Sequence, residues 1–145
     1  MVGIDVIFID PYGDIDRAIS FGDWAAGFTL ACASLEHFGS IKIRNKLENQ
    51  IISKIKDSAK KQAQNSLYAK VKRMRVSDII FQLLTFNIIK FDTYLELKEI
   101  IKFRNDLIHP SRKGIGYQQT LDQSIAEKLL LIAKERIQEI SEIKI

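Results

Sequence analysis

The residues of this sequence best suited to chemistry are Arg104 and His109, in the stretch FRNDLIHP. At 100° per residue, Arg104 lies near the centre of the apolar arc of a helix predicted over 94–108. The other members of this arc are Leu97, Ile100, Ile101, Leu107 and Ile108. Burying a guanidinium costs several kcal/mol unless the group is paired and hydrogen-bonded, so a site or an interface is expected there.

The types of these residues suit phosphate chemistry. Pro110 disfavours helical torsions at His109, so the helix is predicted to end there, where the helix dipole favours the cationic imidazole by about 0.3–1 kcal/mol. An imidazole can give or take a proton near neutrality, and the arginine fork fits phosphate oxygens. Arg104 and His109 point about 140° apart on an ideal helix, so a two-fold homodimer would be needed to bring such groups together.

Other chemistries find little support. The two histidines, His37 and His109, are far apart in sequence and Cys32 is the only cysteine, so we expect no metal site. There is no glycine-rich phosphate loop and no serine–histidine–acid pattern, and no cofactor is expected. Cys32 lies in an apolar helical stretch and is predicted to be a buried thiol.

The bulk properties predict a single domain over 1–145. The 145 residues are 46% apolar and 28% charged, with two prolines and seven glycines, so flexible linkers are not expected. No stretch is long and apolar enough to cross a membrane, and Met1–Asp10 does not read as a secretory signal. Without disulfides, a cytoplasmic location is the expectation.

Charge is segregated along the chain. Residues 1–40 hold six acids and one base, whereas residues 41–75 hold eleven bases and two acids. The basic segment 54–75 is either a surface that attracts a polyanion or a solvated helix face. Its only aromatic residue is Tyr68, which gives little support to base stacking.

The periodicity predicts an all-α bundle of four to five helices that follows a short extended arm and turn over 1–14. The predicted helices cover 16–38, 43–72, 79–89, 94–108 and a last one from Thr120 or Ser124 to Ile143. Gly39-Ser40 is predicted to end the first helix. The helix over 79–89 is apolar almost all round, so it should be buried on both sides or lie in a subunit contact.

Three helix starts are predicted from capping residues. Ser77 or Asp78 would cap the helix over 79–89. Capping boxes are predicted for the last two helices from the following pairs: Thr93 with Glu96, and Ser124 with Glu127.

The six residues from Arg104 to His109 resemble the R-x(4–6)-H motif of the HEPN superfamily, including the polar residue that many members carry after the arginine. The predicted all-α up-down bundle, and the motif's place before the last long helix, are similar too. The resemblance implies a metal-independent endoribonuclease in which 2′-hydroxyl attack on RNA occurs at a composite homodimer site. Many members are toxins paired with a nucleotidyltransferase antitoxin, or defence effectors.

The resemblance also implies roles for residues. Arg104 would bind the scissile phosphate, His109 would act as general acid or base, and Asn105 would orient the phosphate or the histidine. Glu36 is either an acidic partner of Arg104 or an exposed helix-end carboxylate. The following loop residues would add phosphate contacts or be ordinary surface charges: Arg112 and Lys113. Ser111 stands where many toxin members have tyrosine.

Two alternatives remain open. The chain could be a non-catalytic HEPN module that binds RNA, a nucleotide or a protein partner. It could instead be an unrelated helical interaction protein, in which Arg104 forms a buried ion pair with an acid such as Glu36 or Asp23.

Overall fold

The computed structural model describes residues 11–108 and 122–145. Within these ranges the chain is all-helical, as predicted, with six α-helices, one short 3₁₀-helix and no strand. The α-helices are α1 (Pro11–Phe21), α2 (Trp24–Gln50), α3 (Asp57–Arg73), α4 (Val76–Thr85), α5 (Phe91–Ile108) and α6 (Gln123–Glu142). The 3₁₀-helix, Ile52–Lys54, connects α2 to α3.

The helix predicted over 16–38 is two helices. The chain turns at Gly22, whose φ of 67° is the left-handed conformation that glycine adopts without strain. Asp23 then caps α2, because its Oδ1 accepts a hydrogen bond of 3.3 Å from the backbone N–H of Ala26. The predicted turn was also wrong, since Pro11 begins α1. The remainder of the predicted arm, 1–10, lies outside the described residues.

Gly39 does not end a helix, contrary to the prediction. Helix α2 continues through Gly39-Ser40 as far as Gln50. A Cβ atom at position 39 would collide with Cγ2 of Ile79 in α4. The glycine is therefore explained by the close approach of α4 to α2 and not by a chain turn.

The helix predicted over 43–72 is interrupted. Helix α2 ends at Gln50, and α3 begins only at Asp57, after the 3₁₀-helix. Helix α3 packs chiefly against α2 and the 3₁₀-helix. Val71 is its one buried residue, so most of the basic segment lies on the surface.

The core forms around α2, which contacts each of the other five helices. Trp24 and Cys32 of α2 belong to this core, and the buried thiol confirms the prediction for Cys32. The largest fully buried side chains are Phe28, Ile15, Leu35, Ile43, Ile52, Ile79, Ile80, Leu83, Leu97, Ile100, Leu130 and Ile137. Helix α6 closes the bundle against α1, α2 and α5.

The predicted cap of α4 was wrong. Helix α4 begins at Val76, so Ser77 and Asp78 lie inside its first turn. Asp78 still serves the helix start, because its Oδ2 accepts a 3.2 Å hydrogen bond from the backbone N–H of Arg75. Helix α4 is buried on one side only, since Phe81 is 53% exposed.

The two predicted capping boxes are also replaced. Helix α5 begins at Phe91, two residues before Thr93, and Glu96 is bound by Arg136 of α6 instead. Asp122 caps α6 by accepting from the backbone N–H groups of Ser124 and Ile125. The hydrogen bond from the Ser124 hydroxyl is the main reason that the pKa of Asp122 is lowered.

No helix within 11–108 or 122–145 is long and apolar enough to cross a membrane.

Replacing Gly39 by alanine should destabilise the protein. The new methyl would overlap the Ile79 Cγ2 atom, and overpacking of this kind costs about 1–3 kcal/mol of unfolding free energy. Urea denaturation followed by circular dichroism measures the loss. The double variant Gly39→Ala/Ile79→Leu lacks that Cγ2 methyl and should recover part of it. Equal stability of wild type and Gly39→Ala would contradict the close approach.

Candidate functional site

Arg104 lies on the last turns of α5, where it is half-buried. Its Nε donates a 2.9 Å hydrogen bond to Oδ1 of Asn105. Leu97, Ile100, Ile101 and Leu107 are buried as the periodicity predicted, but Ile108 is 43% exposed. The guanidinium therefore lies at the margin of the core and not within it.

The guanidinium of Arg104 is not neutralised by a neighbouring acid in the described part of the chain. No carboxylate there lies within 4.0 Å of it. Asp23 caps α2 instead, and Glu36 forms no ion pair with Arg104. The buried ion pair expected of an unrelated helical interaction protein is thus not found among these residues.

Two contacts hold α5 in position. The ring of Phe103, next to Arg104, lies 4.9 Å from the ring of Phe28 in α2. Further along α5, Oε1 of Glu96 accepts a 2.9 Å hydrogen bond from Nε of Arg136 in α6. That bond is the main cause of the raised pKa of Arg136. Apolar and ionic contacts thus fix α5 between its neighbours.

Arg104 and Glu36 act on the same buried thiol. Burial raises the pKa of Cys32 to about 11; the positive charge of Arg104 opposes this shift and the negative charge of Glu36 adds to it. Both charges therefore lie near Cys32, although they form no ion pair. This corner of α2 and α5 combines a buried thiol with two opposite charges.

Glu36 and His37 lie in the middle of α2, not near a helix end as predicted. Both are exposed, so the interpretation of Glu36 as a surface carboxylate fits its accessibility. His37 is exposed as well and makes an edge contact with Phe38, with ring centroids 5.1 Å apart.

The other predicted site residues, His109, Arg112 and Lys113, lie outside the described residues, as does Ser111. Of the motif itself, the structure places only Arg104 and Asn105 together. Within the described ranges there is no group of three or more histidine, cysteine, aspartate or glutamate side chains that could hold a metal ion.

A groove of about 670 Å³ adjoins the motif between α4 and α5. Asn105 and Ser77 line it, together with the exposed Leu95 and the lysines Lys98 and Lys102. This groove could not be predicted from the sequence, because Ser77 and Leu95 belong to different helices and neither residue type is unusual at an exposed position.

Comparison with protein-family models, with curated proteins and with solved structures finds no match for this chain.

Charge changes around Cys32 should shift its pKa in opposite directions. Glu36→Gln removes a charge that raises the pKa, and Arg104→Gln removes one that lowers it. Titration of the ¹³Cβ signal of labelled cysteine by NMR should give a midpoint near 11 in the wild type, a lower midpoint in Glu36→Gln and a higher one in Arg104→Gln. Glu127→Gln, a change at an exposed residue of α6, is the control. Shifts of the same sign in both variants would contradict this arrangement.

Proposed function

We propose that the chain is a metal-independent endoribonuclease of the HEPN type that acts as a homodimer. The observation that carries the proposal is the state of Arg104, which is oriented by Asn105 and has no described carboxylate within ion-pair distance. A half-buried, oriented guanidinium without an ion pair to any described carboxylate is suited to a phosphate oxygen. The all-helical fold is consistent with the proposal.

In the proposed reaction, a base removes the proton of a ribose 2′-hydroxyl, whose oxygen attacks the adjacent phosphorus. The bond to the 5′-oxygen breaks, and an acid gives that oxygen a proton, which leaves a 2′,3′-cyclic phosphate. Arg104 stabilises the charge on the phosphate oxygens. His109 is the acid or base, and Asn105 keeps the guanidinium in orientation.

Convergence of these groups requires a second copy of the chain, because positions 104 and 109 of an ideal helix point about 140° apart. An exposed apolar surface beside the motif supports this. Phe81 follows Ser77 by one turn of α4 and therefore shares the side that lines the Asn105 groove, as Leu95 does on α5. Phe81 is 53% exposed and Leu95 46% exposed. We assign this surface to the dimer interface.

Cleavage of RNA should persist in EDTA and depend on the motif. The purified protein is incubated with mixed RNA, and products are tested for 2′,3′-cyclic phosphate ends. Arg104→Ala and His109→Ala should each lower the rate by at least about a hundredfold, because each removes an acid–base or charge-stabilising group. Lys128→Ala, at an exposed position of α6 outside the groove beside Asn105, should retain the wild-type rate.

The outcomes separate the alternatives. Cleavage that EDTA abolishes, or that survives in Arg104→Ala, would refute the proposal. Intact RNA with retained binding would identify a non-catalytic module. A monomer without affinity for RNA would identify an unrelated helical interaction protein.

Phe81→Asp should convert the dimer to monomer and abolish cleavage, because it buries a charge in the proposed interface. Sedimentation equilibrium gives the mass and circular dichroism gives the helicity, which should not change. Leu131→Asp, at a side chain of α6 that is 48% exposed, is the matched control and should stay dimeric and active. A wild-type monomer that cleaves RNA would refute the composite site.

A further inference from the structure

A second groove, of about 800 Å³, lies between α2 and α3, apart from the groove beside Asn105. Its α2 wall runs from Ala33 to Arg44 and its α3 wall from Asn65 to Lys72. The twelve residues from Ala33 to Arg44 are separated by eleven steps, or about 16 Å of helix, so the groove spans about three turns.

Each wall carries a cation. Arg44 on α2 is exposed, and its guanidinium carbon lies 4.5 Å from the centroid of the Tyr68 ring on α3. Lys72 is exposed on the opposite wall. Among the described residues neither forms an ion pair. Both charges remain available to an anionic ligand.

One acid, Glu36, lines the groove itself, toward the end at Ala33, whereas Glu48 of α2 is not in the lining and is already engaged. The Glu48 carboxylate accepts a hydrogen bond from the Tyr68 hydroxyl, and others of 3.1 and 3.2 Å from Nε2 of Gln64. These bonds connect α2 to α3 and fix the tyrosine ring over which Arg44 lies. The guanidinium of Arg44 is therefore held in place by its contact with the Tyr68 ring. Its N–H groups form no ion pair with a carboxylate of the described residues.

The surface of α3 around the groove is basic, and the core does not require these charges. Its single acid, Asp57, pairs with Lys60 at 3.1 Å. The other bases of α3 are Lys61, Lys70, Lys72 and Arg73, all of which are exposed. Because only Val71 is buried in this helix, these charges are not required by the core. They create a positive field along one wall of the groove.

We propose that this groove between α2 and α3 binds the phosphate backbone of single-stranded RNA. Arg44 and Lys72 contact phosphates from opposite walls, and Asn65 and Tyr68 supply polar and aromatic contacts to the nucleosides. Cations beside an aromatic ring are typical of single-strand binding. An acidic protein partner fits less well, because protein interfaces have charge-depleted cores and large apolar anchors.

The groove and Arg104 lie beside the same stretch of α2. Ala33 and Glu36 line the groove, and Cys32, which immediately precedes Ala33, is the buried thiol on which the charge of Arg104 acts. As a substrate-holding site the inference rests on the proposed function, whereas binding itself does not.

The test measures binding and cleavage separately. Binding of a short fluorescent single-stranded RNA is followed by anisotropy in the His109→Ala background, which keeps the probe intact. Arg44→Gln/Lys72→Gln should raise the Kd at least about tenfold, because it removes two charged contacts to phosphate. The slope of log K against log salt should fall by about 1.4, for two lost contacts at about 0.7 each.

The matched control is Lys90→Gln/Lys128→Gln, which removes the same charge from exposed positions on other parts of the surface. Its Kd should stay within about twofold of the His109→Ala parent. The inference is overturned if the control pair weakens binding as much as the groove pair, if the groove pair binds normally, or if no variant binds RNA. Equal affinity for an oligo-glutamate peptide would overturn it in favour of a protein partner.

RNA cleavage is then measured for the same two double variants in a chain that retains His109. This second measurement separates the present inference from the proposed function. RNA bound through the groove without any cleavage supports the groove and refutes the ribonuclease. If cleavage depends on Arg104 but Arg44→Gln/Lys72→Gln binds RNA normally, the ribonuclease is supported and the groove is refuted.

Discussion

The arrangement of this bundle depends on how closely its helices approach α2. The buried residues of α2 include small side chains, Gly27, Ala31, Ser34 and Gly39, which let neighbouring backbones come near. At Gly39 the neighbour is Ile79 of α4, and at Gly27 it is Leu130 of α6. Small residues on one helix and branched aliphatic residues on the others interdigitate, which gives dense packing without voids. The positions of α4, α5 and α6 around α2 follow from this fit.

The same packing determines what stands around Arg104. Because α5 lies close to α2, the guanidinium of Arg104 comes near Cys32, a small buried residue of α2. A larger side chain at position 32 would fill the space between them. Glu36 follows Cys32 by one turn, on the same side of α2, and lines the groove. A single short stretch of α2 therefore connects the proposed reaction site on α5 with the proposed binding groove on α3. We expect substitutions at Cys32 to disturb both, through packing and not through chemistry.

Periodicity was sufficient to predict the all-helical class, the buried thiol and most of the buried face of α5, because each follows from local spacing. It failed at Gly39 and Gly22. A glycine that allows another helix to approach and a glycine that turns the chain cannot be told apart from the sequence alone. The apolar pattern that begins at Trp24 also continues that of the preceding residues, so the turn at Gly22 was not predicted. Glu96 looked like a capping residue because its partner, Arg136, is remote along the chain.

The two grooves could not be predicted from the sequence for a similar reason. Arg44 and Tyr68 are ordinary surface residues until the turn after α2 brings α3 back beside it. The basic segment was recognised, but not the residues of α2 that face it. Spacing along the chain reports on one helix at a time, whereas a groove is made by two. Arg104 was recognisable because it breaks the pattern of its own helix.

The order of charges along α2 has a further consequence. Asp14, Asp16 and Asp23 precede or begin this 27-residue helix, and the bases of α3 lie beside its second half. Asp23 lies at the positive end of the α2 dipole, which stabilises its carboxylate. The exposed bases of α3 concentrate positive charge on another part of the surface. If the chain binds RNA as proposed, this concentration of charge would make the encounter faster as ionic strength falls.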